Sequence, residues 1–321
     1  MTSQTISKTL LLAASCALVA LGEESRMSGP VPGFVFHGPT RSIRPIVGVP
    51  GSAYLGAMVA QDLDDASISP LGKSALATRA GRLYFLQGLD TGEPLVTPVE
   101  GAIPGVDRIV WSRDGLSAAV YSASSRQAQI LRSLNASQMP GVESLLDLSS
   151  TESAVSALLF DGKRLLAGAG GVYVADADGL KRLLQTANPA ALALGAGNRD
   201  LFVADRGSNQ IWMIRDYAGD ATPMLFSDER SGLSSPVGLR VAGNGRYLLI
   251  ANSGNRSVDA VEISTRSALK RIDLNFAPTR IDDVGLGALS LLNSGANGEP
   301  LYLVDSGEDL AVYFVPARSE E

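Results

Sequence analysis

The chain has 321 residues, a net charge of −6 and a pI of about 5.0. Hydrophobic residues make up 45% and charged residues 19%, which is typical of one large or two ordinary globular domains. The acidic balance argues against a basic face for nucleic acid. A single Cys and a single His exclude thiolate and multi-histidine metal sites.

The first 22 residues have the pattern of a secretory signal peptide. Lys8 is their only charge, and the apolar run at 10–21 is shorter than the roughly 20 residues that span a bilayer. Small residues before Glu23 suit cleavage there, although a buried N-terminal helix is the other interpretation. We therefore expect export to the periplasm or the extracellular space, with no transmembrane span. Residues 13–16 resemble a bacterial lipoprotein box, so acylation of Cys16 is an alternative.

After a linker at 23–33, short apolar runs at 34–37 and 42–47 predict a hairpin around Gly38-Pro39-Thr40. Further runs of four to seven apolar residues recur along the chain, separated by turn-forming residues. The six clearest runs are centred at 77, 120, 167, 203, 250 and 304, about 45 residues apart on average. Four short strands in a unit of that length predict a β-propeller blade.

Two units show the pattern best. The first predicts strands at 190–194, 201–205, 210–214 and 223–226, and the second at 236–241, 247–252, 257–263 and 269–274. The turns that start at Asp205 and Asn252 match, and Asp305 is expected to start a third copy. An Asx side chain that accepts a backbone hydrogen bond explains these residues as structural.

Residues 201–211 look like an NHL repeat, and residues 249–258 resemble the YVTN-type repeat of bacterial secreted propellers. The resemblance, to six-bladed TolB-like proteins, implies one all-β domain at 34–316 with four-stranded antiparallel blades, followed by a tail at 317–321. We expect six blades, with the N-terminal hairpin closing the ring by completing the blade that begins at Arg280. Seven blades result if that blade is complete and the hairpin belongs to a separate one. Two β-sandwich domains fit the strand count but not the repeat.

Motifs for catalysis are scarce. The chain has no G-x-S-x-G nucleophile elbow and no P-loop, and the glycines at 195–197 and 285–287 lack the third glycine of a dinucleotide site. His37 is the only imidazole, and it is interpreted as a strand residue beside a turn. An enzyme similar to streptogramin lyases, which rely on histidine and a divalent cation, could use no other base.

We therefore expect a non-catalytic binding or scaffold module that recognises a protein or small molecule through loops at its channel mouth. Asp65, Asp107, Arg280 and Asp282, at the starts of inner strands, are the candidate ligand-binding residues. No cofactor and no nucleic acid are expected, and the chain is expected to be a monomer. The alternative is a calcium-dependent hydrolase similar to lactonases and gluconolactonases, in which channel carboxylates hold Ca²⁺. A large exposed apolar patch would instead indicate an interaction protein.

Overall fold

A computed structural model describes residues 29–135, 139–285, 287–295, 298–307 and 309–316. The expected signal peptide, Cys16, most of the linker and the C-terminal tail lie outside these residues. Within them, 27 strands form seven antiparallel sheets, six of four strands and one of three. The only helices among them are 3₁₀ turns, and no helix there is long and apolar enough to cross a membrane. The chain is a seven-bladed β-propeller.

The blades follow one another along the chain. Blade 1 holds β1 (Gly33–His37), β2 (Ser42–Val47) and β3 (Tyr54–Leu55). Blades 2 to 4 hold β4 (Asp65–Ile68), β5 (Ser74–Arg79), β6 (Arg82–Gln87), β7 (Leu95–Pro98), β8 (Arg108–Trp111), β9 (Ala118–Ser122), β10 (Gln127–Arg132), β11 (Gly141–Asp147), β12 (Ala157–Phe160), β13 (Leu165–Gly168), β14 (Gly171–Asp176) and β15 (Gly179–Gln185). Blades 5 to 7 hold β16 (Pro189–Leu194), β17 (Leu201–Asp205), β18 (Gln210–Arg215), β19 (Thr222–Ser227), β20 (Pro236–Ala242), β21 (Tyr247–Asn252), β22 (Ser257–Glu262), β23 (Ala268–Asp273), β24 (Asp282–Asp283), β25 (Leu289–Leu291), β26 (Leu301–Asp305) and β27 (Ala311–Val315). The 3₁₀ turns are Gly38–Thr40, Leu89–Thr91, Ala196–Asn198, Glu229–Ser231 and Gly243–Gly245.

Each central strand is apolar on both faces because both faces are covered by neighbouring blades. In β21, Leu248 and Ile250 pack against blade 5, whereas Leu249 and Ala251 pack against blade 7. Successive side chains of a strand point to opposite faces, so a continuous apolar run fills two seams at once. This explains why the sequence shows short apolar runs rather than strict alternation.

Seven buried apolar clusters hold the blades together, and each spans one pair of adjacent blades. The cluster between the first and the last blade contains Val35 and Ile46 from blade 1 and Leu289, Leu303 and Val315 from blade 7. The two blades share no strand. The ring is therefore closed by side-chain packing of the N-terminal strands rather than by a composite sheet.

Blade 1 has no counterpart of the inner strand in the part of the chain that is described. Its first strand, β1, runs antiparallel to the inner strands of blades 7 and 2: Gly33 lies beside Val284, after β24, and Arg41 bonds to Leu63 and Asp64, before β4. In front of β1, blades 2 and 7 approach each other. A Cβ on Gly72 would lie 3.9 Å from the Cα of Gly285.

Several sequence predictions are confirmed and others are wrong. The eight strands expected in blades 5 and 6 occur within one residue at each end. The preferred count of six blades is wrong and the alternative of seven is confirmed, because the N-terminal hairpin forms its own blade and the last blade is complete. The turn after Asp305 joins the third and fourth strands of its blade, whereas those after Asp205 and Asn252 join the second and third. It is therefore not a third copy.

Candidate functional site

The inner strands of blades 2 to 7 begin at one end of the channel, which we call the upper mouth. Three of these strands, on blades 7, 2 and 3, start with Asp282, Asp65 and Arg108. Those on blades 4, 5 and 6 start with an alanine and two prolines. Because blade 1 has no inner strand, the three charged starts are consecutive around the channel. The upper mouth thus has a charged half and an apolar half.

Asp65, Arg280 and Asp282 are brought together in the charged half. Arg280 donates from Nη1 to Oδ2 of Asp282 at 2.6 Å. Partial burial raises the pKa of Asp65, although the Ala66 N–H and the nearby Arg280 charge act in the opposite direction. Water still reaches all three side chains. Two carboxylates and one guanidinium leave a net negative charge when all three are ionised, which suits a cationic group of a ligand.

Asp107 has a different role. Its Oδ2 accepts a hydrogen bond from the Ala123 backbone N–H at 2.7 Å, and its own N–H donates to Tyr121 O at 3.0 Å. The carboxylate therefore holds the turn after β9. Within the described residues, no hydrogen bond or ion pair joins Asp107 to the other three candidates. Arg108, the first residue of β8, forms no ion pair with any described residue, and sequence reasoning missed it because it chose the neighbouring Asp107 at this strand start.

Two arginines in the turns of the upper face form structural contacts with a neighbouring loop. Arg41 immediately precedes β2, and Arg126 immediately precedes β10. Both residues adopt left-handed backbone geometry. The guanidinium of Arg41 bonds to Leu63 O at 3.0 Å and to Asp64, and that of Arg126 bonds to Thr151 O at 2.7 Å. Each arginine therefore connects a turn to the loop that follows the outer strand. Arg41 and Asp64 add a salt bridge beside Asp65.

Asp205 and Asn252 perform a related task in blades 5 and 6. Asp205 is 3% exposed, and its carboxylate accepts hydrogen bonds from Gly207 N, Ser208 Oγ, Ala187 N and Asn188 N. Burial alone would raise its pKa, but these four donors outweigh it and lower the pKa below the ordinary value. Asn252 accepts from Ser234 N at 3.2 Å. Both side chains fix the loops that lead to the upper mouth.

His37 lies inside the ring wall. It is 4% exposed, its Nδ1 lies 2.8 Å from Thr40 Oγ1, and no described group hydrogen-bonds to its Nε2. The alternation of β1 puts it on the same face as Val35, which packs against blade 7. Burial, and secondly the Arg44 charge, lower its pKa. His37 is therefore a buried strand residue beside a turn, as it was interpreted from the sequence.

The calcium alternative needs several oxygen ligands around one point. In the described residues, no three side chains of the His, Cys, Asp or Glu type come together as a metal site. Asp65 and Asp282 lie near Arg280, Asp107 holds a turn, and Asp283 pairs with Arg240. These carboxylates do not fit a shared calcium site.

A separate cleft of about 250 Å³ lies between blades 4 and 5, away from the upper mouth. Tyr217 in its wall donates from its hydroxyl to Oδ2 of Asp161 at 2.6 Å. Burial and this bond raise the pKa of Tyr217 far above its ordinary value. Arg164 forms ion pairs with Asp161 and Asp176. Tyr217, Asp161, Arg164 and Asp176 are therefore engaged with one another, and Asp178 and Lys181 complete the polar lining of the cleft.

No protein-family profile matches the chain, and no curated protein matches it in sequence. Solved structures with a similar fold do match the chain. A functionally unknown protein from Desulfotomaculum acetoxidans DSM 771 has a TM-score of 0.64 at 13% identity, covering 89% of this chain and all of the other. The RRP9 WD40 repeats give 0.58 at 15% identity, covering 78% and 80%. The nidogen/laminin complex gives 0.51 at 14%, covering 75% and 92%. At such identities the likeness shows the propeller fold alone.

Proposed function

We propose that the chain is an exported, non-catalytic binding module that recognises a protein partner through the charged half of its upper mouth. One observation carries the proposal: Asp65, Arg280 and Asp282, which come from two inner-strand starts that neighbour each other around the channel, lie together and open to water at the upper mouth. The ring presents these groups without ordering a loop on binding, which reduces the entropic cost of association.

The net negative charge of the group favours a partner that inserts a lysine or arginine side chain. A propeller whose solved structure is a complex, nidogen with laminin, supports protein recognition by this fold as a general use. Its resemblance here is one of fold only.

Differential capture tests the proposal. The wild-type chain, Asp65→Lys and a control, Asp216→Lys, are immobilised and exposed to extract from the source cells. Asp216 is an exposed carboxylate paired with Arg199 on a turn remote from the upper mouth. We expect a protein that binds to the wild type and the control but not to Asp65→Lys. Equal retention by all three, or no retained protein, contradicts the proposal.

Export is part of the proposal and rests on the pattern of residues 1–22. Mass spectrometry of the mature protein tests it. A chain that begins at Glu23 supports cleavage, and one that begins at acylated Cys16 supports a lipoprotein. A chain that retains Met1 contradicts export.

A further inference from the structure

The outer strands of the blades differ in how well they are protected against pairing with another chain. An outer strand presents unpaired N–H and C=O groups, and proteins guard such edges with charges, prolines or bulges. In blades 2 to 6 every outer strand has such a feature. The protecting residues are Pro98 in β7, Glu143 and Asp147 in β11, Lys181 and Arg182 in β15, Pro223 in β19, and Lys270 and Arg271 in β23.

β27 of blade 7 has none of them within its five residues, and the nearest proline, Pro316, follows its last residue. Its sequence is Ala-Val-Tyr-Phe-Val, and its pairing with β26 runs without a register shift. The outer strands β11, β15, β19 and β23 all pair with a shift. An uncharged, regular strand of β-branched and aromatic residues is the type of edge that pairs readily with a further strand.

The side chains of β27 are also unevenly covered. Val315 is 1% exposed in the seam with blade 1, and the Tyr313 ring lies against Gly51. Phe314 points the other way and is 62% exposed. It is paired in register with Tyr302, whose ring stacks on Phe276 at 3.8 Å. Phe314 therefore extends an aromatic row into the solvent, at the edge of the sheet.

We propose that β27 is a homodimer interface, in which two copies of the chain pair their β27 strands antiparallel about a two-fold axis. Self-pairing places Tyr313 opposite its own counterpart and opposes no like charges, since the strand has none. The same arrangement at β15 or β23 would bring cationic side chains into proximity. Blade 1 does not cover the edge, because its outer strand is only two residues long. The proposed dimer differs from the monomer expected from the sequence, and the association state decides between them.

Sedimentation equilibrium of the full chain, from about 1 to about 100 µM, tests the dimer. We expect twice the mass of one chain at the upper end for the wild type, and at least tenfold weaker association for Phe314→Lys. The control is Leu95→Lys, because Leu95 is a 65% exposed apolar residue on the outer strand of blade 2. It should dimerise like the wild type.

A thermal melt shows whether each variant is folded. If Phe314→Lys does not fold, Phe314→Thr removes the ring while keeping a residue suited to a strand, and the same loss of association is expected. A wild-type chain that keeps the mass of one copy over the whole range overturns the proposal, as does equal weakening by Leu95→Lys. The result is independent of the upper mouth, since Asp65→Lys leaves β27 intact and should still dimerise.

Discussion

Asp205 offers the sharpest test of how the loops of the upper mouth are held, and Asp205→Ala should destabilise the fold by about 3 kcal/mol. The carboxylate accepts four hydrogen bonds, three of them from the backbone N–H groups of Ala187, Asn188 and Gly207 at 2.8 to 3.0 Å. The fourth donor, Ser208 Oγ, has Gln210 Oε1 as a second partner at 3.1 Å. The substitution therefore leaves three N–H groups unpaired, at roughly 1 kcal/mol each.

Guanidinium denaturation and thermal melts measure the loss, for which we expect a fall of about 5 °C in Tm. Asp305→Ala is the matched control, because Asp305 also begins an Asp-Ser/Arg-Gly turn but, among the described residues, accepts one turn bond, from Gly307 N at 2.9 Å. It should cost less than about 1 kcal/mol. The folded-state pKa of Asp205 is lowered, so its contribution is complete above its ordinary pKa of 3.8 and is lost as pH falls through the folded value. Equal losses for the two variants would refute the reasoning.

Other substitutions and conditions give further expectations. A Cβ on Gly238 would lie 2.6 Å from Ile281 N, so Gly238→Ala should lower the free energy of unfolding by about 1–3 kcal/mol. At the control position Gly141, an added Cβ meets no atom within 4 Å, so Gly141→Ala should leave the free energy of unfolding unchanged in the same denaturation assay. Arg240→Met breaks a 2.5 Å ion pair and three hydrogen bonds between blades 6 and 7, and its unfolding midpoint should fall well below that of the wild type. The pKa of His37 is lowered, so NMR should show its ring titrating below 6.5. As pH falls, the unfolded chain then binds the proton before the folded chain does, and the stability of the fold should decrease below pH 6.5. A ring that titrates above 6.5 would contradict the buried position. Excess Ca²⁺ after EDTA should leave the melt unchanged, whereas a rise of about 5 °C would restore the calcium alternative.

The regular part of the fold was predictable because its signal is local. In β17 and β21, both faces are buried by adjacent blades, so four or more apolar residues occur in succession and end at an Asx turn. The blade count was not predictable in the same way. β24 and β25 have only two and three residues, and the apolar run at 301–305 is the third strand of its blade rather than the second. In the sequence, this change is visible only as the longer spacing between the apolar runs centred at 250 and 304.

The candidate site was predictable in part. Asp65 and Asp282 were identifiable as charges at the starts of inner strands, and they lie near Arg280 as the ring geometry requires. Their closeness depends on the missing inner strand of blade 1, which has no sequence signal. The role of Asp107 depends on a single bond to Ala123 N, sixteen residues away in the chain. Such contacts depend on how neighbouring strands are paired in the sheet, which the spacing of residues along the sequence does not reveal.

Site-directed photocrosslinking tests the central claim, that recognition occurs at the charged half of the upper mouth, most directly. A photoreactive residue replaces Arg108 at the upper mouth in one variant and Lys73, on the turn between β4 and β5 at the opposite end, in another. Both are irradiated in extract from the source cells. The account predicts one discrete adduct from position 108 and none from position 73. An adduct from position 73 alone, equal adducts from both positions, or no adduct from position 108 would contradict it.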